Sequence, residues 1–484
     1  MGSSWLLGRL DDRLRLIAVY AILCLIWVGF AEWIVPNIIV AAYHGQSLSI
    51  FNWVLQGHTS FPVERYLNRW SVIAAAMPLA IVLHLVMVLL ICWMDRKQGA
   101  LDAVRAYPRG NVVLVIFSAA FLALAALSGV QGVYHAYLAE WTAVLRGGDP
   151  WIHAKGVFFN AYGPLFNLLA LLVWINPLAN KLLFAFSYLV YVVWLVKDFA
   201  PRRGLVAFSW PWTGLWLLNP FPWEQIAYGG YFDILVSLAC VAAVHSLISR
   251  KDGISGTWLA LGILLKYIPI VILPFFAFNE RRVHFRLLGF CVGVASFGFL
   301  VSLLVWGTST FAPLTFAATR HSEWSIYYVL MPTHPPLRSH WEQPSLDWIG
   351  NPLLIIAGLG GFVWCTLRRI EPALSSVLAI LATLLFYRVG LPNYQMMLFS
   401  LVLYWAVSNW EEFNEHSVLA ALLVGYFGIQ VIAEIVGVLS TFRADSFFAK
   451  IAVMFQFLSG CALLVGLIRL RPVPCSGEGR PGNA

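Results

Sequence analysis

Apolar runs of about twenty residues, each closed by a short polar or charged loop, recur along the whole 484-residue chain. A helix needs about 20 apolar residues to cross ~30 Å of hydrocarbon, and more than ten stretches reach that length. Composition agrees. Hydrophobic residues make up 60% of the sequence and charged residues 11%, against about 25% charged in soluble domains. The expected fold class is all-α: a polytopic transmembrane protein of about fourteen helices. The first run, from about Leu16 to Val40, has no small-residue cleavage site after a short apolar core, so it reads as a retained helix.

Helices are expected at roughly 14–40, 71–93, 111–130, 160–176, 180–197, 206–219, 231–249, 256–278, 286–306, 351–367, 373–388, 393–410, 417–438 and 450–468. An even number puts both termini on one side. The basic segments "RLDDRLR", "DRKQGALDAVRAYPRG", "NERRVHFR" and "RLRPVPCSGEGR" then share that side, which the positive-inside rule makes cytoplasmic. "KDFAPRRG" (197–204) and "SRKDG" (249–253) fall outside in this count, against the rule. One alternative merges 160–197 into a single span with a re-entrant piece and flips the middle of the chain. The fourteen-helix count is preferred because it satisfies the strongest loops at both ends. It also gathers the long polar segments 41–70, 130–160 and 307–350 on the external face. The net charge of +8 reports topology first, and attraction to anionic membrane lipids second. It does not indicate nucleic acid. The seven cysteines lie mostly within apolar runs and form no CxxC, so neither a disulfide framework nor a metal site is indicated. The tail from about residue 471 is expected to be disordered.

Four segments carry polar chemistry. In 130–165, Tyr134, Tyr137 and Trp141 recur at helical spacing and suggest an amphipathic helix at the interface. "GGDPW" breaks that helix, and "YGPL" opens the next with Pro164 in a tolerated first-turn position. "LALGILLKYIPIVILP" places Lys266 inside an apolar helix, where an ionisable residue marks a functional site by default. "FAATRHSEWSIYYVLMPTHPP" clusters Arg320, His321, Glu323 and His334. "FYRVGLPNYQMM" puts Arg388 at an outer helix end. "NPFPWEQIAYGGYFDILVSL" (219–238) is left on the inner side by this count, with Glu224 and Asp233 as helix caps or partners of basic loops.

Together these segments resemble the integral-membrane glycosyltransferases of the GT-C fold, most closely the polyprenyl-phosphate-mannose-dependent enzymes of glycosyltransferase family 87. "AVLRGGDPW" and "YGPL" are similar to that family's first external loop, "NPFPWEQIAYGGYFDILVSL" to its N-P…G-Q-x-D/N segment, and "LALGILLKYIP" to its G-x-x-x-K-x-x-P helix. "TRHSEWSI" and "YRVGLPNYQMM" resemble its late external Arg/His loop and its P-x-Y segment. The likeness runs over roughly residues 111–410. It implies a GT-C-like seven-helix core at 111–306, two additional N-terminal helices in 1–110, an external loop at 307–350 completing the active site, and C-terminal helices at 351–470.

The resemblance implies transfer of a sugar, mannose or another hexose, from a polyprenyl-phosphate donor to a lipid, glycan or protein acceptor, with inversion. It implies a multi-pass protein of the bacterial inner membrane with its active site on the external, periplasmic side. No cofactor is implied, and no DxD-like metal motif occurs in the external loops. Lys266, Arg320 and Arg388 are the candidates for binding the donor phosphate. His321, Tyr137, Trp151, Tyr162 and Tyr394 are the candidates for the substrate pocket. The family's general base is an Asp at the start of the first external loop, a position held here by Val133. The replacements, in order, are Glu140, His135 and Asp149, with Glu64 of the 41–70 loop as a further carboxylate. Two other readings compete: a transporter or flippase of a lipid-linked or small polar substrate, for which Lys266 and Glu434 would be the deep charges, and a non-catalytic scaffold.

Overall fold

The computed structural model describes residues 69–99, 108–130, 132–151, 162–202, 212–279, 282–319, 324–330, 347–410, 413, 417–442 and 446–470. The expected helix at 14–40, Glu64, Arg320, His321, Glu323, His334 and the tail lie outside them. The described chain is an all-helical bundle; its only sheet is a two-residue ribbon, Phe278–Asn279 with Arg282–Val283. We number the main helices α1 Arg69–Gly99, α2 Pro108–Leu127, α3 Gly132–Leu145, α4 Ala179–Trp194, α5 Asp233–Ile248, α6 Asp252–Leu265, α7 Phe285–Trp306, α8 Asp347–Arg368, α9 Pro372–Phe386, α10 Gln395–Ser408, α11 Ser417–Phe442 and α12 Ser446–Ile468. Among the described residues six helices are long and apolar enough to cross a membrane, or seven if the bent pair Trp212–Tyr228 and Asp233–Ile248 is one span.

Side-chain ties fix the direction of each segment. Lys181, at the start of α4, donates to Ser128 Oγ and the Gly129 carbonyl, just past the end of α2. Lys197, past the end of α4, reaches Asn111 near the start of α2. So α2 and α4 are antiparallel neighbours, and the described residues between 128 and 181 stay at one end of the bundle. This is the loop end; the opposite one, carrying Lys197 and Arg202, is the basic end. The Tyr134 hydroxyl, bonded to the Pro177 carbonyl at 2.7 Å, makes the same point.

The expected separate crossing at 160–176 is therefore wrong. Pro164–Val173 is two short helical pieces that pack on α3 and never reach the basic end. The next segment, Trp212–Tyr228, arrives at the loop end, where the Ala227 carbonyl accepts from Ser128. There the chain turns through 118° into α5. Gly230 makes the turn possible. Its φ of +69° is rarely adopted by residues with a Cβ, and one would meet Tyr134 and Lys181.

A second expectation also fails. The sequence suggested one helix over 256–278, but α6 ends at Leu265 and a separate piece, Ile268–Ala277, runs back to the basic end. There His284 meets Asp252, the first residue of α6. The cause is Pro269. It has no N–H to donate to the Leu265 carbonyl four residues earlier, so the helix cannot continue through it. Gly163 N–H takes that carbonyl instead, at 3.0 Å. A Cβ at Gly163 would collide with the Leu264 carbonyl, so the approach requires glycine.

The two differences cancel in the count of crossings but invert the segment between them. Residues 197–202 and 249–253 fall at the same end as Asn111 and His284, which corrects their expected external placement and agrees with the charge rule. "NPFPWEQIAYGGYFD" moves the other way, to the loop end. From α7 onward the expected directions hold: Gly253 packs by Phe290 and Gly298 by Leu264, so α6 and α7 run parallel. Arg388 and Asn393 come to the loop end, while Asn409 pairs with Glu371 at the basic end.

A cysteine introduced at Arg146 should react with an impermeant thiol reagent from one side of the membrane, and one at Lys251 only from the other, above the background of native cysteines. Labelling of both from the same side would favour the topology in which 160–176 is a separate crossing.

Candidate functional site

At the loop end, α5 begins and α6 stops side by side. Asp233 is the first residue of α5, and Lys266 is the residue that caps α6. The helix N-terminus favours the carboxylate and the C-terminus the ammonium. The two side chains form an ion pair, both almost completely buried. Lys266 owes its position to the broken helix. Its backbone leaves the helical region for an extended conformation, and its N–H still closes on the Gly262 carbonyl.

Two further residues complete the cluster. Asn393 Nδ2 donates to the second Asp233 oxygen at 3.1 Å. The Lys266 ammonium lies 3.8 Å from the centre of the Tyr394 ring and 5.6 Å from that of Phe232, within the range of cation–π attraction. Asn393 and Tyr394 sit in a 3₁₀ turn opened by Pro392 before α10. Thus three segments far apart in sequence supply one polar group.

The first loop end forms the wall of this group. Helix α3 spans the residues expected, but its aromatic face packs on protein: Tyr134, Tyr137 and Trp141 are fully buried. Tyr137 meets Tyr162, Phe166 and Phe232 edge-on at 5.3, 5.3 and 5.5 Å. Tyr162 also stands edge-on to Phe232 at 5.0 Å, and it lies close enough to interact with both Glu140 and Asp233. Glu140 is 1% exposed, and its Oε1 has no hydrogen-bond partner among the described residues. Burial pushes its carboxyl well above the ordinary carboxylate range. Both side-chain amide atoms of the buried Asn167, on the segment packed against α3, are likewise unpartnered.

Of the other sequence candidates, Trp151 is buried, donates from Nε1 to the Tyr162 carbonyl at 3.2 Å and meets Trp306 edge-on. Asp149 accepts from the Trp151 N–H at 2.9 Å, closing the turn after α3. His135 is half-buried on α3. Arg388 is mostly buried and donates to the Ala317 carbonyl at 2.6 Å, at the same end of the bundle. The structure thus brings together Lys266, Tyr394, Tyr137 and Tyr162, with Glu140 close to Tyr162. It gives Asp149 a turn to hold.

Sequence reasoning missed Asp233 and Asn393 as members of the site. The signal was present for Asp233: a carboxylate following "GGY" and opening an apolar helix calls for a partner. Placing its segment on the wrong side hid that partner. Among the described residues no group of three or more His, Cys, Asp or Glu could hold a metal ion.

Removing one member of a buried ion pair leaves the other charge uncompensated, at a cost of about 3–5 kcal/mol. Lys266→Met should therefore lower the thermal midpoint of the purified protein strongly. The double variant Lys266→Met with Asp233→Asn should recover part of that loss. Additive losses would mean that the two side chains are not coupled.

The model of glycosyltransferase family 87 matches residues 159–400, half of the chain. No curated protein and no solved structure matches. The matched span contains Tyr162, Asp233, Lys266, Arg388, Asn393 and Tyr394, and it begins after α3 with Glu140 and His135. An all-helical membrane bundle whose buried polar cluster falls inside that span belongs to glycosyltransferase family 87 and is a membrane-embedded glycosyltransferase.

Proposed function

We propose that the chain moves a hexose, such as mannose, from a polyprenyl-phosphate donor to a lipid or glycan acceptor, with inversion at the anomeric carbon. The observation that carries this reading is the buried Lys266–Asp233–Asn393 cluster, set at the end of a membrane bundle and walled by aromatic rings. A lipid phosphate needs charge-assisted donors at the depth of the headgroups. Lys266 and Arg388 supply cations at that end, and Arg320 follows directly on Thr319. Asp233 holds the Lys266 ammonium in place, and the phosphate shares it as negative charge builds on the leaving group.

Glu140 is the proposed general base. A base works best with a pKa near the operating pH, and burial moves this carboxyl in that direction. Tyr137, Tyr162, Trp151 and Tyr394 are the proposed aromatic wall of the substrate pocket, and His321 is a proposed further contact. With basic loops gathered at the opposite end, the positive-inside rule makes the loop end external, periplasmic in a bacterial inner membrane. A transporter also has broken helices. Here both breaks, after Tyr228 and after Leu265, lie at one end of the bundle and build a single polar cluster.

Purified protein in lipid nanodiscs, given a radiolabelled polyprenyl-phosphate hexose and a membrane-lipid extract as acceptor, should release polyprenyl phosphate and label the acceptor. Failure with each common hexose, while a nucleotide sugar is consumed, would overturn the donor assignment.

Glu140→Gln should lower transfer by about 100-fold or more, since a general base contributes about 10²–10⁴ in rate. The wild-type rate should rise with pH as Glu140 ionises, along a limb above the ordinary carboxylate range, about 4.3. Stability should move oppositely. A carboxyl with a raised folded-state pKa holds its proton better when folded, so its contribution is complete at low pH and fades as pH climbs through the raised value. Thermal midpoints across that range should be flatter for Glu140→Gln than for wild type.

A further inference from the structure

The turn that presents Asp233 is held from outside the segment matched by the family. Gln225 Nε2 donates to Glu434 Oε2 at 2.6 Å, and the Tyr231 hydroxyl reaches Glu434 Oε1 at 3.5 Å. Glu434 lies on α11, beyond residue 400, where the family match ends. The two residues that it holds flank the bend. Gln225 precedes the Gly229–Gly230 pair and Tyr231 follows it, two positions before Asp233.

The bend has its own backbone bonds: Gly229 N–H to the Glu224 carbonyl at 2.7 Å, Gly230 N–H to Ile226 at 3.1 Å and Tyr231 N–H to Gln225 at 3.0 Å. Yet two adjacent glycines lose more conformational freedom on folding than any other pair. A bend of 118° at such a pair is a hinge unless side chains on both sides are fixed. The Glu434 carboxylate spans both flanks. Two other ties join the same C-terminal helices to the Asn393 turn: Tyr426 to Gln395 at 2.8 Å and Gln456 to the Gly390 carbonyl at 3.2 Å.

We infer that Glu434 is a positioning residue for the transfer site: through Gln225 and Tyr231 it sets the turn that delivers Asp233 to Lys266 and Asn393. The two C-terminal helices are then a clamp on the catalytic segments. This deepens the functional reading above and rests on it for its kinetic part. Glu434 bonds to Gln225 and Tyr231 on the two flanks of the turn, so its effect passes through the turn. Displacement of a positioned group by about 1 Å costs on the order of 10²-fold in rate.

Two measurements decide it. In hydrogen–deuterium exchange of the full-length protein in nanodiscs, amides of 224–234 should exchange at least about tenfold faster in Glu434→Ala than in wild type, with those of α9 and α10 unchanged. Glu434→Gln keeps an acceptor for Gln225 and should restore most of the protection. In transfer assays Glu434→Ala should lose about 10–100-fold in kcat with little change in KM, rescued in large part by Gln. Gln225→Ala should give a similar loss, and the double variant no more than the larger single one. Unchanged exchange at the bend in Glu434→Ala overturns the proposal, as does loss of protection throughout the bundle. If the wild type transfers nothing from a polyprenyl-phosphate hexose, the donor reading fails, while the exchange arms still decide the role of Glu434.

Discussion

The ion pair between Asp233 and Lys266 is the constraint from which the rest of the loop end follows. It joins the start of one helix to the end of its antiparallel neighbour, so each charge also meets the favourable end of a helix dipole. A lysine and an aspartate this deeply buried would each be expensive alone. Together, with Asn393 on the remaining carboxylate oxygen and the Tyr394 ring against the ammonium, they are satisfied. The pair thereby fixes the relative height of α5, α6 and the turn before α10.

Two local rules put the pair where it is. Pro269 stops α6 so that Lys266 becomes its cap, and the carbonyl left over draws in Gly163 with the segment 164–173. The Gly229–Gly230 pair turns the preceding span so that Asp233 opens the next. Both devices are failures of helical continuity, and both stand at one end. A membrane helix bundle tolerates interrupted backbone only where protein or a polar cavity satisfies it. The interruptions therefore gather at the same end as the buried Asp233–Lys266 pair.

Much of this was legible beforehand. Length and apolarity gave the helices, and Lys266 stood out because an ammonium in an apolar run demands a reason. The turn at "GGDPW", the helix over Tyr134 to Trp141 and Pro164 at a helix start were readable from local stereochemistry. Crossing and re-entrant segments were not separable. An apolar stretch such as 160–176 has nearly the length of a short span, and only the contacts of Tyr134 and Lys181 with 177 and 128–129 show that it turns back. The basic loops carried the correct answer, since Lys197, Arg202, Arg250 and Lys251 all belong with the other basic segments. Counting 160–176 as a crossing places them on the opposite side.

The sequence by itself determined the solvent in which the chain lives, the places where helices must break, and which side chains are too costly to bury without partners. These depend on single residues and their near neighbours: a missing N–H at Pro269, a missing Cβ at Gly230, a charge at Lys266. The tertiary structure alone decided which partners those residues find. Asp233, Lys266 and Asn393 are separated by 33 and 127 positions, and Glu434 reaches Gln225 across 209. Pairing over such distances is set by the direction of every helix between, and one reversed segment moves a carboxylate to the opposite face of the membrane.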